Sequence, residues 1–189
     1  MKTIKLLRGR IFWMIACLAL ILSPFLSIPS YAKTAKEING EVNEALKLFY
    51  QHVKGGKKFL DASKGVLIIP DIVKAGLGVG GQYGEGALRI GGKTVEYYSI
   101  AGGSAGLQIG AQKLNLILAF TQDDALKKFR VSSGWKAGVD ASVAFVEVGA
   151  EKSLDTTKMN EPIVGFVFGQ KGAMAAATVE GAKFTKLVK

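Results

Sequence analysis

Twelve of the 35 residues from Gly76 to Gly110 are glycine, interleaved with Leu, Val, Ile and Tyr rather than with Ser and Pro. A flexible linker has no such apolar interleaving. Closely approaching, sharply bent β-strands do, because only glycine lets one backbone press on another, or take positive φ, without a steric penalty. The stretch therefore predicts a strongly curved sheet, with Gly78 and Gly81 among the residues where backbones approach or φ is positive. Strand-like segments lie in and around it: 65–70 (GVLIIP), 82–90, 93–100, 107–112, 114–120, 139–148, 163–168 and 173–179. Gly91-Gly92 joins 82–90 to 93–100 as a two-residue hairpin turn, and Gly169-Gln170-Lys171-Gly172 turns the last two strands.

Ahead of the strands, Ala35, Ile38, Val42, Ala45, Leu46, Phe49 and Val53 recur at helical spacing. Thr34 with Glu37 three residues later forms a capping box, and Glu37, Glu41 and Glu44 lead while Lys47 and His52 trail, the charge order that suits a helix dipole. Gly55-Gly56 ends the helix, and a short helical turn follows at 57–62. The apolar stripe packs on a sheet, although a membrane-inserting face is the competing reading. Thr121 is expected to cap a second short helix running through Asp123, Asp124, Leu126, Phe129 and Arg130. The fold class that results is α+β: an N-terminal helical segment packed on a strongly curved, glycine-rich antiparallel sheet or barrel, with one short inserted helix.

Residues 1–32 read as a leader. Lys2, Lys5, Arg8 and Arg10 precede the apolar run 11–22, prolines follow at 24 and 29, and Ser30-Tyr31-Ala32 offers a cleavage site. Twelve apolar residues span only about 18 Å as a helix, short of a bilayer core of roughly 30 Å. Cleavage after Ala32 is expected, with a single domain at 33–189; retention as an anchor and lipidation at Cys17 are the alternatives. The full chain carries 25 Lys and Arg, four of them before Lys33, so 21 remain against 15 Asp and Glu and the net charge falls from +10 to +6. The same cut removes the only cysteine, which excludes disulfides and thiolate chemistry from the exported protein. The expected location is the periplasm or the periphery of the envelope.

Two catalytic look-alikes occur. Gly76, Gly78 and Gly81 fit GxGxxG with Glu96 twenty residues after Gly76, and Gly102-Gly103-Ser104-Ala105-Gly106 fits GxSxG. Both motifs need a helix directly afterwards, to hold a pyrophosphate or to expose a nucleophile. The residues that follow are strand-like, and the one histidine, His52, is far upstream at a helix end. No catalytic residue, cofactor or metal site is expected. Asp123-Asp124 is a helix N-terminus rather than a metal pair, and Trp135, Tyr83, Tyr97 and Tyr98 are core or cross-strand residues rather than a pocket lining. No nucleic-acid-binding pattern is present.

The strings ASKGVLIIP (62–70) and KAGLGVGGQYGEG (74–86) closely resemble the SYLF family. The likeness runs on through Tyr98-Ser99, Gly103-Ser104, Gly106, Gln108, Gly110-Ala111, Phe129, Trp135, Gly138, Asp140-Ala141-Ser142 and Gly165-Phe166 to Gly181. That resemblance implies lipid binding without catalysis. Eukaryotic SYLF domains bind phosphoinositides and remodel membranes, a fungal member associates with actin, and bacterial members are mostly exported envelope proteins. The family's lipid determinants lie toward its helical N-terminal part, here 37–64. Within it Lys54, Lys57, Lys58 and Lys64 form the candidate lipid-binding patch for anionic phospholipid or phosphoinositide-like headgroups, and an ordinary solvated face is the competing reading. A scaffold that binds another envelope protein is the alternative function.

Overall fold

A computed structural model of the protein describes residues 33–148, 160–172 and 181–189. The leader with Cys17 and the strand expected at 173–179 lie outside the described residues. Lys33–Lys189 forms a compact unit.

Helix α1 (Ala35–His52) starts at the predicted capping box: the Thr34 hydroxyl accepts from the Glu37 amide while the Glu37 carboxylate accepts from the Thr34 amide. Its buried stripe is Ile38, Val42, Ala45 and Phe49, as the spacing requires. Gly55, at φ +81°, turns the chain into α2 (Gly56–Ala62). A Cβ on Gly56 would come 2.7 Å from Phe49 Cε1, so only glycine lets α2 start so close to α1.

Two long strands follow, β1 (Gly65–Ile90) and β2 (Lys93–Phe120). They pair antiparallel from Gly65 opposite Phe120 to Ile90 opposite Lys93, and the turn between them has Gly91 at φ +57° and Gly92 at φ +77°. The predicted hairpin is present, but the separate short strands of the sequence reading are continuous: the glycines bend the strands without ending them. The 26 residues of β1 laid straight would reach about 85 Å, far beyond a unit with a radius of gyration of about 15 Å. The strand therefore folds over itself, helped by register shifts at Ile69/Ile72, Leu77/Val79 and Leu88/Arg89. The crossing is at Gly84 and Gly86. A Cβ on Gly86 would lie 2.0 Å from the Ile68 carbonyl oxygen and 2.7 Å from Ile69 Cα. At Gly81 an added Cβ meets, among the described residues, only the Gly102 carbonyl at 3.7 Å and φ is not positive, which corrects its expected role. Close approach is real in this segment but sits three to five residues further on.

After β2 come α3 (Asp123–Val131), β3 (Trp135–Lys136), β4 (Ala144–Glu147), β5 (Ile163–Gly172) and β6 (Lys183–Leu187). Among the described residues six strands form one sheet in the order β3-β6-β2-β5-β4, with β1 along the other edge of β2. One edge of β2 thus takes β6 at Tyr97–Ala101 and β5 at Gln112–Phe120. Four details differ from the sequence reading. Gln122, not Thr121, is the N-cap of α3, because the Thr121 hydroxyl donates instead to the Glu161 carbonyl at 2.7 Å. The expected strand 139–148 is confined to β4, since Asp140 accepts from the Lys136 amide and holds a turn there. Gly169, at φ +64°, sits inside β5 opposite the irregularity between Lys113 and Asn115, so residues 169–172 continue the strand. The sheet is also not wholly antiparallel, since β4 runs parallel to β5.

At the start of β1 both faces of the sheet are buried. Val66 and Ile68 point under α1 and α2 with Phe49, Leu60, Ile117 and Phe166. Leu67 and Ile69 point the other way, into a core with Tyr98, Leu116, Phe120, Phe129, Trp135 and Phe184. That is why GVLIIP reads as an unbroken apolar run.

Candidate functional site

Alternation along the end of β1 puts Leu88 and Ile90 in the core on the α3 side, and Ala87 and Arg89 under α1. A charged strand residue is thereby carried beneath a helix. Arg89 is partly buried, and its Nη2 donates to Asn43 Oδ1 of α1 at 2.8 Å. Its Nε is shut off from solvent and has no hydrogen-bond partner among the described residues. Burial lowers the Arg89 pKa from its ordinary value, partly opposed by Tyr50 and Tyr97; a guanidinium nonetheless stays charged.

Arg89 lines a cavity of about 240 Å³ between α1, α2 and the β1–β2 turn. Leu46 and Tyr50 of α1, Leu60 and Asp61 of α2, and Val66 and Ile68 of β1 also line it, with Gly91 and Gly92 at the edge. Leu46, Tyr50 and Arg89 also line a second, more open depression with Asn43, Lys47 and Gln51. Tyr50 has its pKa raised, first by burial and then by Asp61, while Lys57 and Arg89 act against it, which places each of these three groups within electrostatic reach of Tyr50. Lys57 neutralises Asp61 through a 2.6 Å ion pair. Among the described residues no acidic group pairs with Arg89, whose recess is lined by apolar Leu46, Leu60, Val66 and Ile68 and by polar Tyr50, Asp61 and Ser63.

The four predicted lysines are all exposed at the α1–α2 corner and the entry to β1, but the structure divides them. Lys57 is tied to Asp61 beside the cavity, and Lys64 reaches Asp123 at the start of α3 at 3.3 Å. Lys54 and Lys58 have no acidic partner among the described residues. The corner itself is firmly seated: Phe49 contacts the rings of Phe166 and Phe168 at centroid distances of 5.0 and 5.3 Å, and Phe59 contacts Phe166 at 5.8 Å. Along α1 the character reverses, since a cleft beside Glu37, Glu41 and Glu44 also holds Asp71. That end of α1 is acidic, with Lys33 paired to Glu41 at 2.6 Å, and the α1–α2 corner is basic.

The catalytic look-alikes fall inside strands. Gly76–Gly81 lies within β1 and Gly102–Gly106 within β2, neither leading into a helix. His52 is exposed at the end of α1. Trp135 and Tyr98 are buried around Phe129, at centroid distances of 5.3 and 4.7 Å. The sequence reading missed Arg89, Tyr50 and Asp61. The available signal was the parity of β1, which sets Arg89 two residues from buried Ala87 on the helix-covered face.

A family model described as Ysc84, Las17-binding protein actin regulator, matches residues 101–187. The match runs from within β2 to the end of β6 and stops short of α1, α2 and Arg89. No curated protein matches the chain.

Proposed function

From the premise that this chain belongs to the SYLF (Ysc84) family through residues 101–187, we propose that it is a non-catalytic lipid-binding protein of the bacterial envelope. Its ligands are anionic phospholipid or phosphoinositide-like headgroups. The reading places the protein in the periplasm or at the envelope periphery after cleavage of its leader; the compact unit that begins at Lys33 supports that boundary.

The observation that carries the proposal is the α1–α2 corner. Lys54, Lys57, Lys58 and Lys64 are exposed around it, two of them without acidic partners, over a packed aromatic base that holds the surface rigid. Near an anionic surface each basic residue contributes about 1 kcal/mol, so this corner gives weak, reversible attachment. Flotation of the purified protein with anionic and neutral vesicles tests it. Binding is expected to anionic vesicles only and to fall as salt shortens the screening length below about 10 Å. A Lys54→Glu, Lys58→Glu double variant should bind less with an unchanged melting temperature; Lys57 is a poorer choice because it also holds Asp61. Equal binding to neutral vesicles, or undiminished flotation of the double variant, would overturn the reading.

The Las17-binding character of the matching family supports a second reading, a scaffold that binds another envelope protein. Failure to float on any vesicle, together with saturable binding of one purified envelope protein, would favour it.

A further inference from the structure

We propose that the cavity beneath Arg89 binds the phosphate ester headgroup of a single anionic amphiphile, with the phosphate on the guanidinium and the first carbons against Leu46, Leu60 and Val66. The inference deepens the lipid-binding reading and rests on it, but it assigns a discrete pocket where that reading needs only a charged surface.

Three observations lead there. The first is Arg89 Nε, a charged donor withdrawn from solvent that has no acceptor among the described residues, on a side chain that lines the cavity. Buried polar groups are almost always satisfied, and an unsatisfied charged one is costly, so an exception beside a cavity marks a place for an acceptor. An oxyanion suits it best, because a guanidinium offers two parallel donors to one phosphate. The second is charge: Lys57 neutralises Asp61, and the only other ionisable side chain lining the cavity besides Arg89 is Tyr50, a neutral donor. The third is shape and lining. About 240 Å³ corresponds to about eight water volumes, room for a phosphate and a few carbons but not a full acyl chain. Leu46, Leu60 and Val66 give those carbons apolar contact. A longer chain has an exit beside Gly91 and Gly92, where an added Cβ would meet nothing within 4 Å.

Calorimetric titration with dihexanoyl phosphatidic acid, kept below its aggregation concentration, separates pocket from surface, because a dispersed ligand does not need a membrane. Saturable one-to-one binding is expected, with inorganic phosphate binding at least about tenfold more weakly because it leaves the apolar lining unused. Arg89→Met should weaken dihexanoyl phosphatidic acid binding about 10- to 100-fold. Asn43→Asp serves as the control for folding: Asn43 is exposed, and a carboxylate there occupies the guanidinium from outside without touching the packed residues. It should weaken binding about tenfold at an unchanged melting temperature. The proposal fails if dihexanoyl phosphatidic acid does not bind, if inorganic phosphate binds as tightly, or if both variants bind it like the parent. Dispersed-lipid binding without vesicle flotation would sink the membrane reading alone, and flotation without dispersed-lipid binding would sink the pocket alone.

Discussion

Arg89 and Glu96 sit near the same hairpin turn, on opposite faces of one strand pair, and have opposite fates. Glu96 lies on the core side among groups from three elements. It accepts from the Tyr98 hydroxyl at 2.8 Å, from Arg130 Nε and Nη2 of α3 at 3.1 and 2.9 Å, and from Lys186 of β6 at 2.6 Å. Burial alone would raise its pKa, but the hydrogen bonds from Arg130, Lys186 and Tyr98 outweigh burial and hold it at about 2. Arg89, on the helix side, has one bond to an exposed asparagine, and its buried Nε–H has no acceptor among the described residues. A charge whose partners come from several elements is a clasp. A charge with capacity to spare beside a cavity can take a ligand.

The largest effect should come from removing the scaffold common to both residues. Gly86→Ala forces a Cβ onto the Ile68 carbonyl at the point where β1 crosses itself. It should cost about 3 kcal/mol or more by denaturant titration, whereas Gly81→Ala, where only an ordinary contact awaits, should stay within about 0.5 kcal/mol. Equal costs at the two positions would show that the crossing is misplaced.

Next in size is the clasp. Because the folded pKa of Glu96 lies below its ordinary value of 4.5, its contribution is complete above that value and is lost as pH falls through the range toward about 2. Glu96→Gln should cost on the order of 2 kcal/mol at neutral pH and flatten the stability profile between pH 4.5 and 2. An unchanged acid limb would remove Glu96 from the structural side of the comparison.

Gly40→Ala changes neither charge. Nothing lies within 4 Å of the added methyl group, so α1 should gain roughly 0.5–1 kcal/mol while lipid binding is unaffected. The smallest effect on stability should belong to Arg89→Met, within about 0.5 kcal/mol by thermal denaturation, because the lost bond to Asn43 is offset by relief of a partly buried charge. A cost as large as that of Glu96→Gln would make Arg89 a second clasp and erase the contrast.

What the sequence disclosed follows the range of the interactions involved. The capping box at Thr34 and Glu37 and the turn at Gly91-Gly92 depend on neighbours a few residues apart, and both are as read. The continuity of β1 and β2 depends on each strand supplying the other's hydrogen bonds across the glycines, so it is invisible along one chain. Gly169 looks like a turn residue because positive φ serves a bulge as well as a turn. The strand β6 (Lys183–Leu187) went unread; its buried Phe184 is explained by the distant Phe129 and Trp135. The lysine corner was legible as composition, but its division by Asp61 and Asp123 was not, since Asp123 arrives from α3. Arg89 was missed for the same reason: in a strand next to a turn it reads as a solvated residue until α1 is laid over it.

The most direct test observes the two guanidinium groups together. In a ¹H–¹⁵N correlation spectrum the Nε–H resonances of Arg89 and Arg130 can be assigned by their loss in Arg89→Met and Arg130→Met, and followed as dihexanoyl phosphatidic acid is added. The Arg89 Nε–H signal should move and saturate with the ligand, because its donor has no acceptor among the described residues, while that of Arg130, engaged by Glu96 at 3.1 Å, stays in place. Ligand binding with the Arg89 signal unmoved, or with both signals moving alike, would contradict the account.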